Sequence, residues 1–119
     1  MTLLIIELLF IHWIADFVLQ SDWMARNKSK EMLPLILHCG TYFLTLWFLL
    51  LFCVARCEWV DVFFFAWANT ILHFCTDFVT SRINSYLWAK GQVHNFFVSV
   101  GFDQFLHLAT LIILAHYMF

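Results

Sequence analysis

Charge is scarce in this chain: six Lys and Arg and eight Asp and Glu among 119 residues, 12% of the whole, beside 64% hydrophobic residues. Soluble domains carry about 25% charged and roughly 45–50% apolar residues. A domain of this size leaves much of its surface in water, and so few charges cannot cover it, which excludes an ordinary water-soluble globule. A basic excess is missing as well. The net charge of −2 provides no positive field to hold nucleic acid, so that class of partner is excluded. There is no CxxC pair and no disulfide framework, and Cys39, Cys53, Cys57 and Cys75 read as small apolar residues. The first apolar run has neither a basic n-region nor a small-residue cleavage site, and is expected to be a retained span rather than a signal peptide. No GxxxG pair marks a seam between helices, although a domain this small is compatible with a homo-oligomer.

What the sequence does have is four apolar runs, at about 2–20, 34–55, 60–80 and 96–117, each near the length needed to cross a bilayer. The expected fold is all-α: one polytopic membrane domain over 1–119, a bundle of four transmembrane helices with the lipid bilayer as its solvent. Pro34 suits the first turn of the second helix. The first connection, Ser21 to Met32, holds Arg26, Lys28 and Lys30, and the third, Ser81 to Asn95, holds Arg82 and Lys90; the second has only Arg56. Basic residues in short loops stay in the cytoplasm. The first and third connections are therefore expected inside, with both termini on the periplasmic side. Trp23, Tyr86 and Trp88 near the inner connections and Trp59 near the outer one stand where interfacial anchors would. HWIADFV at 12–18 and HFCTDFV at 73–79 share HxxxDFV at an offset of 61 residues, an offset that also relates Gly40 and Gly101. Two helical hairpins of common origin would explain it.

Ionisable groups inside a bilayer are rare and costly, so their positions carry the functional reading. His12, Asp16 and Gln20 are spaced by four and share one helix face, as do Asn69, His73 and Asp77, and Asp103 and His107. The second run adds His38. At about 1.5 Å per residue, the histidines and aspartates lie roughly 5–17 Å from the cytoplasmic ends of their helices, because the first and third run inwards and the second and fourth run back. Glu7 and His116 lie towards the outer half. Helix bundles build metal centres from inward-facing ligands of this kind, so His12, Asp16, His38, His73, Asp77, Asp103 and His107 are the candidate ligands. Nitrogen and oxygen donors without thiolate suit Zn, Mn or Fe, and Mg less well. A metal-bound water could attack an ester or phosphoester, with His12, Asp16, His73 and Asp77 as the expected catalytic groups. Arg82 and Lys28 could meet a phosphate at the membrane surface, although the topology rule alone accounts for them.

The segments HWIADFVLQSDWMARNKSK, LHCG, HFCTDFVTSR and FDQFLH resemble a family of small bacterial and phage membrane proteins, domain of unknown function 3307, over nearly the whole chain. The resemblance implies that His12, Asp16, Gln20, Lys28, His38, His73, Asp77, Arg82, Asp103, Gln104 and His107 are its characteristic polar positions, and that the chain resides in a bacterial inner membrane, host- or phage-encoded. The chain is also similar in style to inner-membrane metal-dependent hydrolases, by analogy alone. Three functions follow as expectations: a metal-dependent membrane hydrolase acting on a lipid or phosphoester from the cytoplasmic side; a proton or cation relay or transporter; or a non-catalytic membrane protein that binds a partner. The outer half offers few polar groups for a route across, which disfavours transport. Gln20, Lys28, Asn69, Arg82 and Gln104 are the expected supporting residues.

Overall fold

A computed structural model describes residues 1–53 and 57–119. The expected end of the second span at 54–55, and Arg56, lie outside the described residues. Among them the chain is helical: α1 (Thr2–Trp13), which continues into a π-helical turn (Ile14–Val18), then α2 (Asp22–Asn27), α3 (Met32–Cys53), α4 (Trp59–Ala89) and α5 (Val93–Met118). Helices α3, α4 and α5 are each long and apolar enough to cross a membrane. Pro34 occupies the first turn of α3, where its missing N–H leaves nothing unsatisfied.

Two boundaries differ from the sequence reading. The first run stops at Val18 rather than at 20. Ser21 then starts the short α2 by accepting a hydrogen bond from the Met24 amide at 3.2 Å, the usual way a serine caps a helix. The third run does not end at 80. Ser81–Ala89, expected as loop, continues α4 for more than two further turns. No Gly or Pro interrupts that stretch, and Leu, Arg and Ala favour helix. Termination comes at Gly91, with φ +70°. There the Gln92 amide donates to the Leu87 carbonyl and the Gly91 amide to the Trp88 carbonyl, both at 3.0 Å, which is the Schellman closure that a left-handed glycine allows.

Helix α1 packs on α3 and α5, and α4 packs on the same two, so the four long segments close a ring. One end of the interior is an apolar layer containing Leu8, Leu46, Leu50, Phe65 and Leu111, all essentially inaccessible. These residues come from the start of α1, the end of α3, the start of α4 and the end of α5, which makes neighbouring helices antiparallel. The exterior is apolar as well. Phe52 is 82% exposed, Phe105 62% and Phe10 59%, whereas His38, His73 and Asp77 are at 1% or less. Such reversed polarity is what a lipid solvent selects.

Because Leu46 is fully buried, truncation should leave a void, while the gain of leaving water is absent for a side chain that lipid would solvate equally well. Leu46→Ala is therefore expected to cost about 2 kcal/mol, the cavity contribution alone, read as a lowered thermal midpoint in detergent.

Candidate metal centre

Asp16 sits inside the π-helical turn, where the Leu19 amide reaches the Ile14 carbonyl at 2.9 Å. The extra residue in that turn widens the helix locally, a device common at functional sites. His38 projects from the second turn of α3 and His73 from the middle of α4. Their Nε2 atoms meet at 3.1 Å. Asp16 Oδ1 lies 3.0 Å from His38 Nε2 and 3.4 Å from His73 Nε2, and Asp77 Oδ2 lies 3.2 Å and 3.5 Å from the same two atoms. Four donor atoms from three long segments thus converge on one point.

Those five separations are informative as a set. A tetrahedral ion with bonds of about 2.0–2.1 Å holds its ligands roughly 3.3–3.4 Å apart, and the observed edges of 3.0–3.5 Å bracket that value. A second group shares Asp77. His107 Nε2 lies 3.1 Å from Asp77 Oδ1 and 3.2 Å from Asp103 Oδ1. Asp77 therefore turns one carboxylate oxygen to each group, as a bridging ligand does. The four-residue group Asp16, His38, His73 and Asp77 and the three-residue group Asp77, Asp103 and His107 each have the compactness to hold a metal ion.

Ring packing aims these donors. Tyr42 stacks on His73 at 4.1 Å and 10°, and His73 stacks on His107 at 4.1 Å. The Nδ1 atoms of His38 and His73 are buried without a hydrogen-bond partner, so both rings address the cluster through Nε2 alone. Tyr42 was missed in the sequence. It lies four residues beyond His38, so helical spacing could have found it.

His12, one of the seven expected ligands, falls in neither of these two groups. Its Nε2 is 3.7 Å from Asp16 Oδ2 and faces a different partner. Gln104 Nε2 donates to Asp16 Oδ2 at 3.0 Å and to Asp103 Oδ2 at 3.1 Å. Ionised carboxylates only accept, so the amide nitrogen must face them and the carbonyl must face away. That carbonyl oxygen is 3.1 Å from His12 Nε2, which therefore carries the proton. The Tyr42 hydroxyl, 3.3 Å from His12 Nδ1, is then the donor to that nitrogen. Two carboxylates thus fix the tautomer of a histidine through one glutamine.

The expected supporting residues separate in the same way. Lys28, placed just after α2, is 16% exposed and donates to Asp77 Oδ2 at 2.9 Å. Burial alone would lower its pKa, but the Asp77 and Asp16 carboxylates outweigh burial and hold it above the ordinary lysine value. Thr80 donates to Asp103 Oδ1. Asn69 is buried but donates to the Phe65 carbonyl of its own helix, outside the cluster. Arg82 also lies elsewhere. Its guanidinium bonds the Phe78 carbonyl at 2.6 Å and sits 3.8 Å over the Phe78 ring, because its helix phase turns it away from the interior.

A cleft of about 790 Å³ opens on the cluster from the end that carries α2 and the α4 extension, with Asp16, Asp103 and Gln104 in its lining. At the opposite end the cluster abuts the apolar layer. A family model described as "Protein of unknown function (DUF3307)" matches residues 4–119. No curated protein and no solved structure matches the chain.

Gln104→Glu would set a third anion between two buried carboxylates and is expected to cost about 3 kcal/mol, against about 1 kcal/mol for Tyr42→Phe, which removes one neutral hydrogen bond. Thermal unfolding of the two variants beside wild type reads the difference, and equal shifts would contradict the assigned amide orientation.

Proposed function

We propose, for a chain that belongs to the DUF3307 family over residues 4–119, that the buried cluster is the metal centre of a membrane hydrolase acting on a lipid or phosphoester. The observation that carries the reading is the convergence of Asp16, His38, His73 and Asp77 at tetrahedral edge lengths. Charge balance supports it. Three carboxylates, Asp16, Asp77 and Asp103, face one ammonium, Lys28, and uncompensated charge is costly at this depth. With the imidazoles neutral, as metal ligation requires, one divalent ion in the four-residue group brings the cluster to neutrality.

The two groups differ in what they can do. Four protein ligands close a coordination sphere, whereas three leave a position free for water or substrate. Asp103, in the three-residue group, lines the cleft, so Asp77, Asp103 and His107 would hold an ion that a ligand in the cleft could approach. Zn, Mn or Fe suits the nitrogen and oxygen donors, and such an ion acts as a Lewis acid that lowers the pKa of bound water to near 7. The chain's own residues do the rest. Gln104 holds Asp16 and Asp103 in place, Lys28 compensates the bridging Asp77, and His12 keeps a proton on Nε2, one residue from the ligands.

The reading takes Thr2–Val18 as a fourth crossing. Its 12 helical and five π-helical residues rise about 25 Å, near the short limit for a bilayer core. It also takes the cleft as cytoplasmic, by the Lys and Arg of the connections around it, in a bacterial inner membrane, and treats the two HxxxDFV segments as halves of a duplicated hairpin. A transporter would need a polar path beyond the cluster, where the side chains are Leu8, Leu46, Leu50, Phe65 and Leu111. That layer favours a closed, one-sided site.

Purified protein is expected to contain a stoichiometric divalent metal. Asp77→Ala should lose all of it, together with at least a hundredfold of any ester or phosphoester turnover, while His116→Ala, at an exposed position near the end of α5, should retain the wild-type content. Elemental analysis decides, and wild-type protein without metal would overturn the proposal.

A further inference from the structure

The cleft above the cluster has features that metal ligation does not require. Its lining includes Arg26, Lys28 and Lys30, from α2 and the turn after it. It also includes Phe17, Phe96, Phe97 and Val100, and Phe97 is 61% exposed. The cleft thus combines basic and apolar lining. Gln20, Ser81 and Asn84 line it as well, and each has a buried side-chain oxygen with no hydrogen-bond partner: Gln20 Oε1, Ser81 Oγ and Asn84 Oδ1. Three such orphans in one cavity are unusual, since buried polar atoms are nearly always paired. Two of them are amide oxygens, which can only accept, so the missing partner must bring donors.

We propose that this cleft binds an amphiphile whose head carries a phosphate beside one or more hydroxyl groups, with its apolar tail laid along Phe17, Phe96, Phe97 and Val100. The phosphate takes the side of Arg26, Lys28 and Lys30, where charge-assisted hydrogen bonds are strongest. The hydroxyls donate to Gln20 and Asn84 and exchange a hydrogen bond with Ser81. About 790 Å³ is ample for such a head and the first part of a chain, within the usual range for small-molecule sites. The phosphoester of a ligand held this way lies over Asp103 and Gln104. This deepens the hydrolase reading by naming its substrate class, and rests on that reading only for turnover; binding itself is carried by the cleft.

The test uses full-length protein in nanodiscs of neutral lipid, with octanoyl glycerol phosphate as the probe and calorimetry as the readout. Saturable binding is expected, at least tenfold tighter than for glycerol phosphate, which lacks the tail, or octanoyl glycerol, which lacks the phosphate. Asn84→Leu and Ser81→Leu should each weaken it by tenfold or more with metal content and thermal midpoint unchanged. The variant Asp77→Ala, which removes the ligand shared by both groups, should still bind the probe within about threefold. Equal affinity for the tailless or phosphate-free comparator, or unchanged affinity in both leucine variants, would overturn the proposal while leaving the metal result intact. Loss of binding in Asp77→Ala would show that the ion and not the cleft holds the ligand, and would overturn it as well.

Discussion

The cost of keeping three carboxylates inside an apolar molecule governs the rest of this structure. Asp16, Asp77 and Asp103 are all at 7% exposure or below, in a chain whose exposed surface is rich in large apolar side chains. Each must find its partners within the interior. Asp77 carries the largest share. Its two oxygens are within 3.5 Å of three imidazoles and one ammonium, drawn from α3, α4, α5 and the segment after α2. Helices that lipid would solvate equally well apart are held together by what this carboxylate needs.

Several local features make sense as servants of that centre. The π-helical turn carries Asp16 at the point where an ordinary helix would be continuing towards its end. The Tyr42, His73 and His107 rings stack in a column, so the three side chains brace one another in addition to their polar contacts. Gln104 ties two carboxylates to His12 with a single amide. The interior is thus divided along its length into a dry layer, a charged layer and an open cleft. Among the described residues, the dry layer lies at the end of the charged layer opposite the cleft.

Much of the charged layer was legible in the sequence. His and Asp at four-residue spacing in apolar runs predict inward faces, and antiparallel counting of depth places His38, His73, Asp77, Asp103 and His107 at one level; the distances agree. The helix ends were less legible. Ser81–Ala89 is polar enough to read as a connection, but polarity reports where a segment sits relative to lipid and not whether its backbone stays helical; only Gly91 breaks the hydrogen-bond ladder. Arg82 was expected at the site because it follows the third run closely, yet nine residues of continuing helix fix its direction by phase, and the phase points outward.

The sequence by itself determined the solvent, the helices and the set of ionisable groups that had to be buried together, since composition and a period of 3.6 are properties of the chain alone. Which atoms meet was decided only by the tertiary structure. That His12 turns to Tyr42 and Gln104 while His38 and His73 turn to Asp16 and Asp77 depends on side-chain directions across helices 22 to 92 residues apart in the chain. Pairings at that range are set by how the helices rotate against one another, and no local pattern encodes that rotation.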